Sequence, residues 1–153
     1  MLVNDAVLQY LCNMGRILAI DFGKKRSGVA VTDPLKIVAN GLTTVMTTEL
    51  LSFIKKYIST ENVEMIVVGL PKKLDNTPSE SMKYLKPFLA KLKKELPDMP
   101  IEMYDERFSS TLAHQAMIEG GMKKTDRRNK AVVDTIAASI ILNDYLQSLQ
   151  YKK

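Results

Sequence analysis

The stretch Arg16-Ile-Leu-Ala-Ile-Asp21 sets four apolar residues in a row between two charged ones. A continuous apolar run without polar alternation predicts a strand buried on both faces. Such a strand belongs at the centre of a sheet, with other elements covering it on both sides. Phe22-Gly23-Lys24-Lys25-Arg26 interrupts the run, Gly28-Val-Ala-Val31 resumes it, and Thr32-Asp33-Pro34 stops it as a turn. Ile37 to Val45 reads as a third strand, with Gly41 as a bend or bulge. Three short strands this close in sequence predict an antiparallel meander.

Beyond the third strand the period changes. Thr48-Glu49 starts a helix with Leu50, Ile54, Tyr57 and Ile58 along one stripe. Met65-Ile-Val-Val68 is a buried strand closed by Gly69-Leu70-Pro71, and polar residues 72–78 form a loop. Glu80 to Leu96 carries Met82, Leu85, Leu89, Leu92 and Leu96 at helical spacing, and Pro87 inside it predicts a kink or a fresh first turn. Ile101 to Tyr104 is a further buried strand, running out into Asp105-Glu106-Arg107. Ser109 or Ser110 caps a short helix to about Glu119, a basic loop spans Gly120 to Asn129, and Lys130 to Leu149 is the last helix. Its core candidates are Val133, Ile136, Ala137, Ile140 and Leu146.

The predicted order is β-β-β-α-β-α-β-α-α. Right-handed crossovers then make the later strands parallel to the first. The fold class is α/β: one mixed five-stranded sheet flanked by helices. A chain of 153 residues is one domain by length. It buries roughly 70% of its extended-chain surface, enough for a core without staples. No internal repeat, low-complexity tract or second domain is visible. Residues 1–13 read as an N-terminal extension and residues 14–153 as the domain, because Met14-Gly15-Arg16 resembles a natural start. The extension is either a non-native start or a genuine N-terminal helix.

Composition narrows the function. The hydrophobic fraction of 46% and charged fraction of 25% exclude a disordered or collagenous chain. The single cysteine, Cys12, forbids an intramolecular disulfide, and a reducing cytoplasm fits it. No apolar run approaches the ~20 residues of a membrane span, so no membrane role is expected. Met1 to Asn13 lacks a basic start and carries Asp5, a poor signal peptide. The net charge of +5 leans toward an acidic partner, of which nucleic acid is the commonest.

Three carboxylates stand out. Asp21 ends the central strand, where ligands of α/β folds bind, although Asp-x-Gly is also an ordinary strand-ending turn. Glu106 follows another buried strand, or else belongs to an exposed charged turn with Asp105 and Arg107. If the two strands run parallel, both acids emerge at the same sheet edge. Asp134 lies early in the last helix among apolar residues, a costly setting for a charge unless it is paired or binds a cation. The helix N-terminus offers it a milder stabilisation. Lys130, four residues earlier, is positioned either to pair with Asp134 or to meet a phosphate.

Oxygen ligands of this kind suit hard divalent cations, Mg²⁺ or Mn²⁺. Two such ions about 4 Å apart can activate water and stabilise the leaving oxygen of a phosphodiester. With one Cys and one His no zinc reading competes, and His114, lacking an acidic partner, reads as a packing or surface residue. Lys24, Lys25 and Arg26 flank the first carboxylate; Lys123, Lys124, Arg127, Arg128 and Lys130 precede the third. Both clusters are placed to hold a phosphate backbone. Gly120-Gly121 reads as a flap or as a plain connection. Lys83, Lys86, Lys91, Lys93 and Lys94 read as a solvated helix face.

These residues resemble a known family. Arg16-Ile-Leu-Ala-Ile-Asp21-Phe-Gly-Lys-Lys-Arg26-Ser-Gly-Val-Ala-Val-Thr-Asp33 resembles the opening of the YqgF/RuvX-type Holliday junction resolvase family. Val67-Val-Gly-Leu-Pro71, Asp105-Glu106-Arg107-Phe-Ser-Ser and Lys130-Ala-Val-Val-Asp134-Thr-Ile-Ala-Ala138 match its later motifs in order. Four ordered motifs over residues 14–149 are far more specific than any one of them. The resemblance implies an RNase H-like fold, with the first three strands antiparallel and the last two parallel to the first. It also implies a metal-dependent nuclease site on Asp21, Glu106 and Asp134, with pre-16S rRNA or branched DNA as substrate. Residues 72–78 lack the glycines usual after this motif, and residues 1–13 have no family counterpart.

Three functions compete. A Mg²⁺- or Mn²⁺-dependent endonuclease would use Asp21, Glu106 and Asp134 as metal ligands, and Arg26, Arg107, Lys130 and Lys24 as phosphate contacts. Resolution of a four-way junction would favour a two-fold homodimer. A nucleotide-binding module is suggested by Ile20-Asp-Phe-Gly23, which is similar to the phosphate loop of actin-like and sugar-kinase ATPases. Those folds need two such domains, and this chain supplies one. A protein-kinase reading of Asp-Phe-Gly fails for want of a Gly-rich loop and a catalytic-loop signature. The third function is a non-catalytic nucleic-acid-binding ribosome-assembly factor that keeps the fold.

Overall fold

The computed structural model describes residues 4–6, 15–70, 82–105 and 130–151. Five strands form one sheet: β1 (Arg16–Asp21), β2 (Arg26–Thr32), β3 (Ala39–Met46), β4 (Val63–Leu70) and β5 (Ile101–Asp105). A 3₁₀ turn (Thr47–Glu49) leads from β3 into helix α1 (Leu50–Thr60); α2 (Met82–Glu95) joins the β4 and β5 region, and α3 (Lys130–Tyr151) closes the chain. The spatial order is β3-β2-β1-β4-β5, with β1 central. The β1–β2 and β2–β3 pairs are antiparallel; the β1–β4 and β4–β5 pairs are parallel. This is the mixed sheet expected from the three early hairpin strands and the later crossovers.

The apolar run of β1 does what its composition demands. Leu18, Ala19 and Ile20 are inaccessible to solvent. Side-chain alternation then divides the core into two. On one face Leu18, Ile20, Phe22, Val29 and Val31 meet Leu50 and Ile54 of α1 and Leu85, Phe88 and Leu92 of α2. On the other, Ile17, Ala19, Ala30 and Val67 meet Ala138, Ile141, Leu142, Tyr145 and Leu146 of α3.

Several elements depart from their predicted form. β3 starts at Ala39, two residues later than periodicity suggested, because Asp33 captures the preceding segment. Its carboxylate accepts the backbone N–H of Leu35, Ile37 and Val38 at 3.1, 2.8 and 2.8 Å. These bonds hold the Asp33 carboxyl below its ordinary value, against a smaller opposing effect of burial. Pro87 lies inside α2, which runs unbroken from Met82 to Glu95 instead of starting afresh there, although the proline nitrogen cannot donate the intrahelical bond. The buried stripe of α3 is Ala137, Ala138, Ile141, Leu142, Tyr145 and Leu146. Val133, Ile136 and Ile140, placed in the core by sequence, are only half-buried. This helix is apolar on most sides, so spacing alone could not set its phase. No helix among the described residues is long and apolar enough to cross a membrane. The predicted helix ending near Glu119, the loops at 72–78 and 120–129, and most of residues 1–13 lie outside the described residues.

Candidate functional site

Asp21 is the last residue of β1 and follows Ile17 and Ala19 in the alternation, so its side chain belongs to the face covered by α3. Its cross-strand partner in β2 is Gly28. A Cβ at Gly28 would stand 2.0 Å from the carbonyl oxygen of Asp134, an impossible approach. The absent side chain is therefore what lets the α3 backbone settle onto the sheet beside Asp21. Gly41 plays the same part on β3, where a Cβ would come within 2.6 Å of Thr135 Cγ2. A Thr44–Thr135 hydroxyl hydrogen bond of 2.6 Å fixes that contact. Asp21 and the backbone of Asp134, remote in sequence, thus both adjoin Gly28.

Arg26 joins them. Its Nε lies 3.6 Å from Asp134 Oδ2, an ion pair in which both side chains are partly exposed. That nitrogen is itself buried and has no hydrogen-bond partner among the described residues, so charge rather than a directed bond holds the pair. Arg26 is thus the observed cationic neighbour of Asp134, a role the sequence offered to Lys130. The side chain of Lys130 lies outside the described residues, as do Glu106, Arg107 and His114.

The turn between β1 and β2 is fastened from below. Thr47 Oγ1 donates to the carbonyl of Gly23 at 2.6 Å, and its N–H donates to the carbonyl of Lys25 at 2.9 Å. Ser27, fully buried, shares a 2.9 Å hydroxyl bond with Thr47 and accepts from the Gly23 N–H at 3.3 Å. Gly23 leaves no room for a side chain, since a Cβ would meet the Arg26 carbonyl at 2.2 Å. These bonds pin the segment that carries Asp21 and Arg26. Lys24, by contrast, reaches to the opposite face of the sheet, 5.2 Å from the ring centroid of Tyr84.

At the level of Asp21 the sheet continues through Gly69 of β4 to Tyr104 of β5. Gly69 places no side chain between them. Tyr104 packs edge-on against Tyr145 of α3 at 6.2 Å, and the Tyr145 hydroxyl donates to Glu102 Oε2 at 2.5 Å. Burial, reinforced by Glu102, pushes the Tyr145 phenol well above its usual range, so it stays a donor. Helix α3 is thereby tied to β5 as well as to β2.

Sequence reading found both carboxylates and Arg26 but passed over Gly28, Ser27 and Thr47. A glycine in the middle of an apolar strand was the available signal for close backbone approach. Among the described residues no group of three or more His, Cys, Asp or Glu side chains forms a metal site. Asp21 and Asp134 carry hard oxygen donors, the chemistry of a divalent cation of the magnesium type.

Comparison with known proteins bears on the family and the fold. Residues 15–148 match the family model described as "RuvX: Holliday junction resolvase". A protein of Phocaeicola vulgatus named "Putative pre-16S rRNA nuclease" is 61% identical over 138 residues, covering 90% of this chain and 99% of its own. One of Bacteroides fragilis with the same name is 58% identical over 135 residues, covering 88% and 98%. Among solved structures, T. thermophilus RuvC in complex with Holliday junction substrate superposes with a TM-score of 0.55 at 14% identity, covering 89% of this chain and 96% of that one. At that identity the likeness establishes the fold, which is RNase H-like.

Proposed function

Since this chain belongs to the RuvX Holliday junction resolvase family, we propose that it works as a metal-dependent endonuclease on structured RNA, trimming the precursor of 16S rRNA. It is a phosphodiester hydrolase by kinship. The choice of precursor rRNA over a four-way DNA junction follows the names of relatives that share more than half of their residues with it. The observation that supports the reading is that Asp21 and the backbone of Asp134 both adjoin Gly28.

Asp21 and Asp134 would hold the cation, with Glu106 as the third ligand. The family resemblance supports that third ligand, since Asp105-Glu106-Arg107 is one of the four ordered motifs. Mg²⁺ or Mn²⁺, when bound, supplies positive charge for the scissile phosphate and its leaving oxygen. The protein's own part is to fix the two carboxylates on a strand end and a helix, and to keep Arg26 beside Asp134. Arg26 balances Asp134 and would meet a phosphate, with Arg107 and Lys130 as the further contacts that the motifs suggest. Residues 14–153 form the working unit.

The test is direct. Purified protein is incubated with a precursor 16S rRNA fragment and with a four-way DNA junction, each in Mg²⁺, Mn²⁺ or EDTA. Cleavage of the RNA in either metal, absent in EDTA and about 10³-fold slower in Asp21→Asn, is expected; that loss equals about 4 kcal/mol of transition-state stabilisation. Binding without cleavage of either substrate would sink the nuclease and leave an assembly factor. Cutting of the junction alone would overturn the RNA assignment.

A further inference from the structure

On the face of the sheet opposite the carboxylates, α2 and the start of α1 border an open groove of about 430 Å³. Its lining includes Phe22, Lys24, Ser52, Tyr84, Phe88 and Lys91. Phe22 is the residue next to Asp21, so the groove opens at the same sheet edge, one residue from the candidate metal ligand and on the other side. Its floor is apolar, with the Phe22 and Phe88 ring centroids 5.3 Å apart. Its rim is not. Tyr84, Phe88 and Lys91 form one stripe of α2, and Tyr84 is 42% exposed with the Lys24 ammonium over its ring.

The charges specify the occupant. Two lysines of this protein have acidic partners: Lys36 pairs with Glu64, and Lys55 with Glu95. Among the described residues neither Lys24 nor Lys91 forms an ion pair, and no acidic side chain lines the groove. An accessible aromatic ring between unneutralised lysines matches the pattern that binds single-stranded nucleic acid, where bases stack and phosphates meet cations. The volume is that of a site for one small-molecule-sized group, too small for a duplex.

We infer that this groove binds one unpaired nucleotide of the substrate, its base against Tyr84 and its flanking phosphates on Lys24 and Lys91. The strand then passes round the β1–β2 turn to reach Asp21 and Asp134. The protein thereby selects substrates with a single-stranded segment beside the cut. Of the five lysines of α2, Lys91 leaves the solvated face and takes a specific role. The choice of ligand rests on the nuclease reading, but the test separates the two.

The experiment measures dissociation constants by fluorescence anisotropy in EDTA, so that no cleavage interferes. Two hairpins share one stem; one is blunt and the other carries a short single-stranded tail, each made as RNA and as DNA. The wild type is expected to bind the tailed form about tenfold more tightly. Tyr84→Leu should bring the tailed form to the blunt affinity and leave the blunt affinity unchanged. Lys91→Ala should lower the salt slope on the tailed form by about 0.7, the loss of one phosphate contact on a single strand. A preference for the tail in RNA alone would identify the 2′-hydroxyl as part of the recognition; a preference in both sugars would assign it to base and phosphate. Indifference of the wild type to the tail, or equal weakening of both hairpins by both variants, overturns the groove. A protein that cuts precursor RNA yet ignores the tail refutes the groove alone. One that cuts nothing, but loses its tail preference in Tyr84→Leu, keeps the groove and refutes the nuclease.

Discussion

The two faces of the sheet are built to different rules. The face under α1 and α2 is filled by long side chains, among them Leu18, Ile20, Phe22, Leu50, Ile54 and Leu85. These hold the helices off the strands and supply most of the bulky apolar burial. The face under α3 sets small residues among larger ones, with Ala19, Ala30 and Ala138 buried, Gly28 beneath the helix backbone and Gly41 beneath Thr135. There backbone nearly touches backbone. The first arrangement is tolerant, because side chains can repack around a change. The second is not, because main chain cannot move without carrying Asp134 away from Asp21. Stability resides mainly in one face and positional accuracy in the other.

The sharpest way to break this contrast is Gly28→Ala. The added methyl meets the Asp134 carbonyl, so α3 must lift from β2. We expect a stability loss of about 1–3 kcal/mol. The cleavage rate per folded molecule should fall about 100-fold, as misplacement by an ångström can cost that much. Retained rate in a well-folded Gly28→Ala protein would show that the close approach is dispensable. Next comes Ile54→Ala on the bulky face. Ile54 is fully buried, and truncation should cost about 2–5 kcal/mol in chemical unfolding. Cleavage per folded molecule, measured well below the unfolding midpoint, should stay within twofold of wild type. If it falls in proportion to the Gly28 variant, the two faces are not separable.

The smallest effect serves as a control outside both faces. The Asp33 carboxyl, depressed by three backbone N–H bonds, contributes stability that is present above its ordinary value of 3.8. That contribution is lost as pH falls through the lower folded value. Because the site is largely exposed, Asp33→Asn should cost less than about 1 kcal/mol at neutral pH. The mutant's melting temperature should also depend less on pH than the wild type's in the window below 3.8. An unchanged acid dependence would show that the turn before β3 contributes nothing through this carboxylate.

Much of the fold was legible from local pattern. The four apolar residues of β1 demanded a central strand, and Leu18, Ala19 and Ile20 prove inaccessible. The early meander and the parallel later strands followed from connection length and handedness. Legibility failed where one stretch offered two equivalent solutions. Helix α3 has apolar residues around most of its circumference, and the face chosen for its core included the half-buried Val133, Ile136 and Ile140. At β3 a side chain competed with the ladder, and Asp33 took the N–H groups of Ile37 and Val38.

The candidate site divides in the same way. Sequence by itself determined that Asp21 closes a buried strand, that Asp134 lies early in a helix, and that cations surround both. It also fixed the order of the motifs, hence the family. Only the tertiary structure decided which charges meet: Arg26 with Asp134 on one face, and Lys24 with Tyr84 on the other. The reason is one of range. Strand period and apolar runs are local and survive in a one-dimensional reading, whereas a distance between residues remote in sequence is set by register and by how closely a helix can sit. Here that closeness depends on two missing side chains, Gly28 and Gly41, and an absent atom becomes visible only when its neighbours are in place.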